Sequence, residues 1–442
     1  MSREFLELEK LDNLHINLSE WYEPVELAEE EISIYKAADR VLSQKLTVNE
    51  DLPPFDRSAV DGYALKASDT HGASETHPAY FHVEKEVKMG EEAKFSLTQG
   101  EAAWIATGAM LPDGADCCVM VENTDRISPS RIEVYDDLAP GQNVIKQGDD
   151  VKGGEELLSA GQRIRAQDIG AMAGLGMVKV GVFQKPDIAL LSTGDEIVPP
   201  EADKKAGEIR DINTPALSAL YEKWGGTIGE SVIVEDEPER LRNKIEENLD
   251  RDIIVISGGS SVGTRDFTID VIEELGEPGV LLHGLAVKPG KPTILGRVSN
   301  TPVLGLPGNP ASAWVVSCIV LPDLINVMRG IAPAEPEELK SQAKLGSLKT
   351  RIPSARGKDE FIPVRFINDE EVLLTGEEIG VKKVAPIPGK SNLITTLVEA
   401  QGFIHISAGC EGLARGSPVR VYPLDSEAGL LALGRADSHA GE

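Results

Sequence analysis

Residues 253–266 read Ile-Ile-Val-Ile-Ser-Gly-Gly-Ser-Ser-Val-Gly-Thr-Arg-Asp. The four apolar residues at the start predict a buried strand, and the residues from Ser257 to Asp266 predict a ligand-binding loop. Glycine allows backbone N–H groups to approach an anion closely, hydroxyl groups add donors, and the carboxylate of Asp266 suits a metal ion or an acid/base role. The loop matches neither of the common glycine-rich nucleotide motifs, so for this stretch alone a structural turn and a ligand site both stay open.

Two further loops follow short apolar runs downstream. One reads Lys-Pro-Gly-Lys-Pro at residues 288–292, and the other reads Gly-Leu-Pro-Gly-Asn-Pro-Ala-Ser at residues 305–312. Loops at the carboxyl ends of successive strands in an open α/β sheet meet at one crevice. The sequence therefore predicts that the three loops line a single binding site.

Strand and helix patterns alternate between residues 186 and 330. Asn213 is the expected N-cap of a helix that has Pro215 in its first turn and Gly225 and Gly226 after its last. This order of elements predicts a central doubly wound α/β domain with a mostly parallel sheet. The predicted strands are 187–191, 227–234, 253–256, 280–287 and 303–306, and the predicted helices are 214–224, one after Pro238, 267–275 and 311–328.

Short alternating runs broken by glycine, proline and aspartate flank this domain, a pattern typical of small β-rich domains. We expect a multidomain α/β plus β protein, with β-rich flanking domains and a C-terminal β domain whose strands are 361–366, 372–374, 403–406 and 418–423. The small, polar residues from about Ser426 predict a poorly ordered tail despite one Leu-rich patch. The expected boundaries are 1–50 with 146–185 for an N-terminal domain, 51–145 for an inserted β-rich domain, 186–332, 335–423, and 424–442 for the tail.

Acidic residues dominate the charge balance, with 44 Lys and Arg against 73 Asp and Glu and a formal net charge of −29. Such a surface repels polyanions, which argues against a nucleic-acid partner or an anionic membrane surface. No apolar run approaches the roughly 20 residues of a membrane span, and no basic-then-apolar leader begins the chain, so we expect a cytoplasmic protein. The four cysteines show no C-x-x-C pairing, and we assign them no redox or zinc role.

Carboxylates also follow the first predicted strand of the α/β domain, at Asp195 and Glu196. Mg²⁺ prefers oxygen ligands and binds one or two carboxylates together with substrate phosphates, so these residues and Asp266 are candidate ligands if their loops converge. Helix capping and turn formation are the alternative for each of them. In residues 51–64, Asp61 lies between turns that proline and glycine make rigid. Two interpretations of this segment stay open, a functional site and an ordinary linker between domains.

Six motifs occur in order along the chain: Pro54-Phe-Asp-Arg-Ser-Ala-Val-Asp-Gly-Tyr-Ala64, Thr107-Gly-Ala109, Ser192-Thr-Gly-Asp-Glu196, the 257–266 loop, Lys288-Pro-Gly-Lys-Pro292 and Gly305-Leu-Pro-Gly-Asn-Pro310. In combination they resemble the MoeA family, the molybdopterin molybdenumtransferases related to the gephyrin E domain. The resemblance implies an elongated, four-domain homodimer with its site between subunits, an N-terminal domain used for dimerisation, and an α/β domain similar to the molybdopterin adenylyltransferase fold. The family's reaction takes adenylylated molybdopterin and molybdate and, with Mg²⁺, releases AMP as the metal enters the dithiolene. The adenylyltransferase itself is a further expected partner.

The resemblance also implies roles for individual residues. Asp266 and Glu196 would hold Mg²⁺ and act in phosphate cleavage, while Asp61 and Thr107 would act catalytically from the β-rich side of the cleft. Cations are needed because a doubly charged oxoanion and a phosphoanhydride repel one another. The implied molybdate ligands are Lys288, Lys291, Ser261, Arg356 and Ser391. The other implied substrate contacts are Ser257, Gly258, Gly259, Gly263, Asp195, Pro292, Gly308 and Asn309.

Two other functions stay open on the sequence. The α/β domain alone would suit a nucleotide-dependent adenylyltransferase or pyrophosphatase acting on a pterin, but the flanking domains argue against that. A scaffold, as gephyrin-like proteins can be, does not require acids and lysines at strand ends. Molybdate and tungstate have nearly the same size and charge, so the sequence does not distinguish between them.

Overall fold

The computed structural model describes residues 8–22, 27–258, 267–329, 335–354, 356–373, 380–389, 392–426 and 429–433. The chain divides into two compact units. One comprises residues 30–182, and the other comprises the chain up to residue 29 together with residues 183 onward. The first helix, α1 (Leu11–Trp21), belongs to the second of these units.

The unit of residues 30–182 is rich in strands, as expected for a β-rich flanking region. The helix of this unit is α2 (Ala166–Gly174). The strands are β1 (Glu29–Ser33), β2 (Leu46–Thr47), β3 (Arg57–Ser58), β4 (Gly62–Leu65), β5 (Ala79–Val87), β6 (Glu101–Ile105), β7 (Cys117–Met120), β8 (Thr124–Ser128), β9 (Arg131–Val134), β10 (Val144–Ile145), β11 (Glu156–Leu158) and β12 (Lys179–Phe183). The six-stranded sheet of this unit has the order β7-β4-β6-β5-β9-β8, in which only the β5–β6 pair is parallel.

The α/β domain is built on a six-stranded sheet with helices on both faces. Its strands are β13 (Asp187–Thr193), β16 (Thr227–Val234), β17 (Ile253–Ser257), β18 (Pro278–His283), β20 (Ile294–Val298) and β21 (Thr301–Leu306), with the short strands β14 (Ile197–Val198), β15 (Ile209–Arg210) and β19 (Val287–Lys288) outside this sheet. Its helices are α3 (Asn213–Lys223), α4 (Pro238–Glu246), α5 (Phe267–Leu275) and α6 (Pro310–Met328).

Alternation along the central strands explains the two layers of helices. Ile188 and Leu190 of β13 face one core with α1, α3 and α6, whereas Ala189 and Leu191 face a second core with α4 and α5. Side chains of a strand alternate between faces, so a strand that is apolar throughout must be covered on both sides. The predicted doubly wound α/β domain is confirmed.

The sheet order is β16-β13-β17-β21-β20-β18, with the first four strands parallel. Strand β20 was not predicted and runs antiparallel to both of its neighbours. The predicted strand 280–287 is wrong at its end, because β18 stops at His283. Val287 and Lys288 instead form β19, which pairs with the C-terminal sheet.

The C-terminal domain is the expected β domain. Its elements are α7 (Pro336–Gln342), β22 (Lys344–Leu348), β23 (Ile352–Pro353), β24 (Asp359–Leu373), β25 (Gly380–Pro386), α8 (Thr395–Glu399), β26 (Gly402–Ile406), β27 (Gly412–Leu413) and β28 (Pro418–Val421). The sheet has the order β19-β24-β25-β22-β28, and β26 pairs with β24. The predicted strand 361–366 and residues 372–373 of the predicted strand 372–374 belong to one long strand, β24, and residue 374 lies outside the described residues.

The N-terminal helix differs from the expected division of the chain. We expected residues 1–50 to form one domain together with residues 146–185, but α1 places Leu11, Leu14 and Leu18 in the core of the α/β domain, each at most 1% exposed. The hydroxyl of Tyr22 also donates to the carbonyl of Gly296 in β20, at 2.9 Å. The burial of this apolar face attaches α1 to the α/β domain. The other domain boundaries stay predictions.

Helix α6 is apolar and long. Contrary to the sequence expectation, it is long and apolar enough by composition to cross a membrane, but 89% of its apolar window is buried inside the protein. Burial of this kind is typical of a core helix. It packs between the sheet, α1 and α3.

The prediction of a poorly ordered tail is wrong for residues 430–433. The side chains of Leu430, Leu431 and Leu433 are at most 2% exposed and join the core around α6. The backbone N–H of Leu430 donates to the carbonyl of Cys318 in α6, at 2.8 Å. The Leu-rich patch therefore outweighs the polar character of its surroundings, because burying a leucine side chain contributes about 1.5–3 kcal/mol.

Replacing Leu430 tests this packing. We expect Leu430→Ala to lower the free energy of unfolding by about 2–5 kcal/mol, since it removes buried methyl groups and leaves a cavity. Leu393→Ala is the control, because the Leu393 side chain is 46% exposed and its loss should change stability by about 0.5 kcal/mol or less. Urea titrations followed by far-UV circular dichroism measure both; equal effects would contradict the packing.

Candidate functional site

The three predicted loops leave the same edge of the α/β sheet. In the register, Ser257 lies opposite Leu306, Gly305 opposite Ile294, and Ile294 opposite His283. The loop after β17, the loop after β21 and the connection from β18 to β20 therefore begin side by side. The register shows where the three loops begin, but residues 259–266 of the first loop lie outside the described part of the chain, and the single binding site stays a prediction.

The ends of β13, β17 and β21 approach one another closely. Gly258 adopts φ +115°, and a Cβ atom there would lie 2.4 Å from the carbonyl oxygen of Thr193. Its backbone N–H donates to the carbonyl of Leu306 at 3.2 Å. A Cβ on Gly308 would come within 3.6 Å of the Gly258 Cα. Only glycine fits at position 258, because both the φ angle and the space exclude a side chain.

Asn213 connects two of these strand ends. Its Nδ2 donates to the Ser257 hydroxyl at 2.7 Å and to the carbonyl of Gly308 at 2.9 Å. The expected N-cap role of Asn213 is wrong, because the Asp211 carboxylate accepts from the N–H of Thr214 at 3.0 Å instead. Sequence reasoning missed this site residue, since a local capping preference concealed a partner that is distant in sequence.

Carboxylates gather where β13 and β16 end. The Asp195 carboxylate accepts a hydrogen bond from the N–H of Asp236 at 3.0 Å. Burial raises the pKa of Asp236, and the neighbouring carboxylates of Asp195 and Glu196 raise it further. Asp236 was also missed, although it follows a predicted strand just as Asp195 does. Treating carboxylates after a predicted strand as candidate ligands, as was done for Asp195 and Glu196, would have identified Asp236 after the predicted strand 227–234.

Glu196 folds back over a glycine turn. Gly194 adopts φ +151°, and a Cβ there would lie 3.0 Å from Glu196 Oε2. Among the described residues, no group of three or more His, Cys, Asp or Glu side chains is arranged to hold a metal ion. Mg²⁺ commonly uses only one or two protein carboxylates with substrate phosphates, so the exposed Glu196 and its acidic neighbours suit that ion. Asp266, the other expected ligand, lies outside the described residues.

Two lysines are carried by the connection from β18 to β20. The Lys288 ammonium lies 2.8 Å from Glu360 Oε1, and 65% of the lysine side chain is exposed. Lys291 and the half-buried Pro292 follow in the same connection, and the lysine side chain is exposed. Gly290 packs against Val316 of α6, where a Cβ would lie 2.4 Å from a Val316 methyl group. The backbone between the two lysines therefore packs against α6, the helix that follows Gly308 and Asn309.

The remaining candidates of the C-terminal domain are less well placed or not described. The guanidinium Nε of Arg356 lies 3.0 Å from Glu411 Oε1, and both side chains are exposed. The structure thus places Arg356 in an ion pair within its own domain. Ser391 lies outside the described residues, as do Gly259, Ser261 and Gly263.

In the other unit, Asp61 and Thr107 are brought together. The N–H and the hydroxyl of Thr107 donate to Asp61 Oδ1 at 2.7 and 2.9 Å. The two hydrogen bonds lower the pKa of Asp61. They join the turn before β4 to the turn after β6, which are neighbouring strands. The carboxylate is therefore held ionised and oriented at this edge of the β-rich sheet.

Removal of the Thr107 hydroxyl tests this contact. We expect Thr107→Ala to raise the pKa of Asp61 relative to the wild-type protein, because one of two donors to the charged form is lost. A depressed folded-state pKa stabilises the fold above the unfolded pKa, and that stabilisation disappears as pH falls through the folded pKa. The variant should therefore lose less stability on acidification. Carbon-detected NMR titration of the carboxyl group measures the shift, and an unchanged pKa would contradict the assignment.

Family models match most of the chain. The MoeA N-terminal region, domains I and II, matches residues 9–176, and the MoeA C-terminal region, domain IV, matches residues 346–424. Between them, residues 189–326 match the model described as "Probable molybdopterin binding domain". The strand ends described above lie within this third match.

Relatives and solved structures agree with the family models. A molybdopterin biosynthesis protein of Methanocaldococcus jannaschii is 32% identical over 405 residues, which cover 89% of this chain and 92% of that protein. The molybdopterin molybdenumtransferase of Nostoc sp. is 33% identical over 305 residues, covering 68% of this chain and 70% of the relative. A crystal structure of a molybdopterin biosynthesis MoeA protein from Pyrococcus horikoshii has a TM-score of 0.77 at 35% identity, covering 95% of this chain and 99% of that one. The chain therefore belongs to the MoeA family of molybdopterin molybdenumtransferases, enzymes of molybdenum cofactor biosynthesis.

Proposed function

We propose that this protein inserts molybdate into adenylylated molybdopterin, with Mg²⁺, and releases AMP. The observation that carries the proposal is the register of the α/β sheet: the ends of β13, β17 and β21 lie side by side, and the connection that carries the two lysines leaves the same end of the sheet. Carboxylates follow β13, and glycines follow β17 and β21. In an open α/β sheet, ligands bind outside the carboxyl ends of the strands. The family membership makes a molybdopterin derivative the ligand that this edge would take.

The backbone at Gly258 and Gly308 suits the phosphate part of the substrate. Without side chains at these positions, N–H groups at the start of α6 can approach an anion, and the N-terminus of a helix favours negative charge. Asn213 fixes the distance between the two loops. These residues would bind and orient the substrate before any bond is broken.

The two lysines suit the oxoanion. The charge of this protein is −29, so a doubly charged molybdate needs locally positive groups to be held near a phosphoanhydride. Lys288 and Lys291 are exposed and belong to the connection that leaves the α/β sheet at the end of β18. They would hold molybdate and offset its repulsion with the phosphates.

Glu196, with Asp266, would hold the Mg²⁺. Burial is the main cause of the raised pKa of Asp236, but the charges of Asp195 and Glu196 raise it further, and carboxylates that repel one another are stabilised by a nearby cation. When bound, the ion offsets charge that develops on the phosphate leaving with AMP. The chain's own part is to place a carboxylate at the end of β13, on a turn that requires Gly194.

AMP release is the test. Purified protein is mixed with adenylylated molybdopterin and Mg²⁺, with molybdate, with sulfate in its place, or with neither. The proposal predicts AMP release that depends on molybdate. Release without molybdate would favour the adenylyltransferase-like or pyrophosphatase alternative, and tight partner binding without turnover would favour the scaffold.

A homodimer, the adenylyltransferase as a partner and a cytoplasmic location are further parts of the proposal. They rest on the family membership and are not needed for the residue-level arguments above. Light scattering measures the oligomeric state directly, and a monomeric species would contradict a site shared between subunits.

A further inference from the structure

We infer that Glu360 is the counter-ion and positioning residue of Lys288, and that it limits the affinity of the site for oxoanions. The inference rests on the proposed role of Lys288 in molybdate binding. Glu360 belongs to the C-terminal β domain and is not among the residues that the motifs or the family resemblance pointed to.

The geometry of the pair is specific. Lys288 lies opposite Glu360 in the parallel pairing of β19 with β24, and Val287 lies opposite Asp359. The N–H of Asp359 also donates to the carbonyl of Ala286 at 2.9 Å. The backbone register therefore fixes the point at which the Glu360 carboxylate meets the ammonium, at 2.8 Å.

Burial is unequal across the pair. Only 5% of the Glu360 side chain is exposed, against 65% of the Lys288 side chain. A buried carboxylate without a charged partner is unfavourable. The Glu360 carboxylate therefore holds the Lys288 ammonium next to itself, at the point where the buried carboxylate comes closest to solvent. The lysine still reaches solvent, and an incoming anion can approach its exposed side.

The charge of Glu360 opposes that anion. An oxoanion in contact with the Lys288 ammonium would lie about 6 Å from the carboxylate, where a unit charge acting on a doubly charged anion weakens binding by about tenfold even at the dielectric constant of bulk water. That factor corresponds to about 1.4 kcal/mol. Glu360 therefore orients the Lys288 side chain and at the same time lowers the affinity of the site for molybdate.

The test compares Glu360→Gln with Asp359→Asn. Glutamine keeps a hydrogen-bond acceptor for Lys288 but removes the charge, so we expect the KM for molybdate to fall at least about tenfold with kcat within about twofold. Asp359 is the matched control, because it is an adjacent buried carboxylate that pairs with His405 at 2.7 Å rather than with Lys288. Asp359→Asn should leave the KM for molybdate unchanged.

Coupling to Lys288 distinguishes this role from a structural one. In a Lys288→Ala background no ammonium holds the oxoanion beside Glu360, so Glu360→Gln should change the KM by less than about threefold. If the glutamine variant does not fold, Glu360→Met supplies an uncharged side chain of similar length that suits a buried position.

Equilibrium dialysis with molybdate alone separates this inference from the proposed reaction. If AMP release by the wild-type protein did not depend on molybdate, the proposed function would be contradicted. A molybdate affinity that is unchanged or weakened in Glu360→Gln, measured by dialysis and by KM, would overturn the role of Glu360 while leaving the reaction intact.

Discussion

Glu196→Gln is expected to reduce molybdate-dependent AMP release by about 100- to 1,000-fold, the effect of removing one group that stabilises charge in a transition state. The substitution keeps the size of the side chain but removes the carboxylate that would hold Mg²⁺ at the end of β13. Glu196 is exposed and follows a turn that glycine already permits, so the fold should tolerate the amide. Initial rates of AMP release measure the effect.

The same variant has a readout that does not depend on turnover. The Glu196 carboxylate contributes to the raised pKa of Asp236, so the pKa of Asp236 should be lower in Glu196→Gln than in the wild-type protein. Glu239→Gln is the control, since Glu239 is an exposed residue in the first turn of α4. A rate within threefold of wild type would remove Glu196 from the mechanism even if the Asp236 pKa moved as expected.

Gly258→Ala is expected to abolish measurable AMP release and to lower the free energy of unfolding by about 2–4 kcal/mol. The alanine methyl group would lie 2.4 Å from the Thr193 carbonyl oxygen and 2.7 Å from its hydroxyl oxygen, and the φ angle of +115° disfavours any side chain. The ends of β13 and β17 must therefore separate. That separation would displace Ser257 from Asn213.

Gly308→Ala is the matched control for stability. Among the residues that the structure describes, a Cβ at position 308 would come within 4 Å of the Gly258 Cα alone, at the ordinary contact distance of 3.6 Å. Its thermal unfolding midpoint should therefore stay close to that of the wild-type protein. If both alanine variants were equally stable, the close approach at Gly258 would not be a constraint on the fold.

Local patterns predicted the elements of the α/β domain well. The predicted helix 311–328 corresponds to α6, and the predicted strand 253–256 corresponds to β17, because a long apolar run between turn residues has few alternatives. Strand β20 was missed because Gly296 and Arg297 interrupt its apolar pattern. Both residues have partners on or next to α1: the Gly296 carbonyl accepts from Tyr22, and Arg297 donates to the carbonyl of Trp21.

For the candidate site too, the sequence predicted some residues and missed others. The glycine loop, the acids after β13 and the K-P-G-K segment were each found as motifs. The rule for parallel strands predicted that the ends of β13, β17 and β21 lie side by side, but it did not predict the pairing of Lys288 with the C-terminal sheet. Asn213 and Glu360 were not found, because neither stands in a motif and each acts on a residue far away in sequence. The role of Asp266 stays a prediction.

The sequence by itself determined the kinds of elements, the family and the chemical groups of the site, since these depend on residue type and short-range spacing. Only the tertiary structure decided which groups meet. The partners of Ser257, Lys288 and Leu430 are set by strand register and by the packing of cores. Such contacts join residues that are far apart in the chain, and a one-residue change of register would exchange them without changing any local pattern.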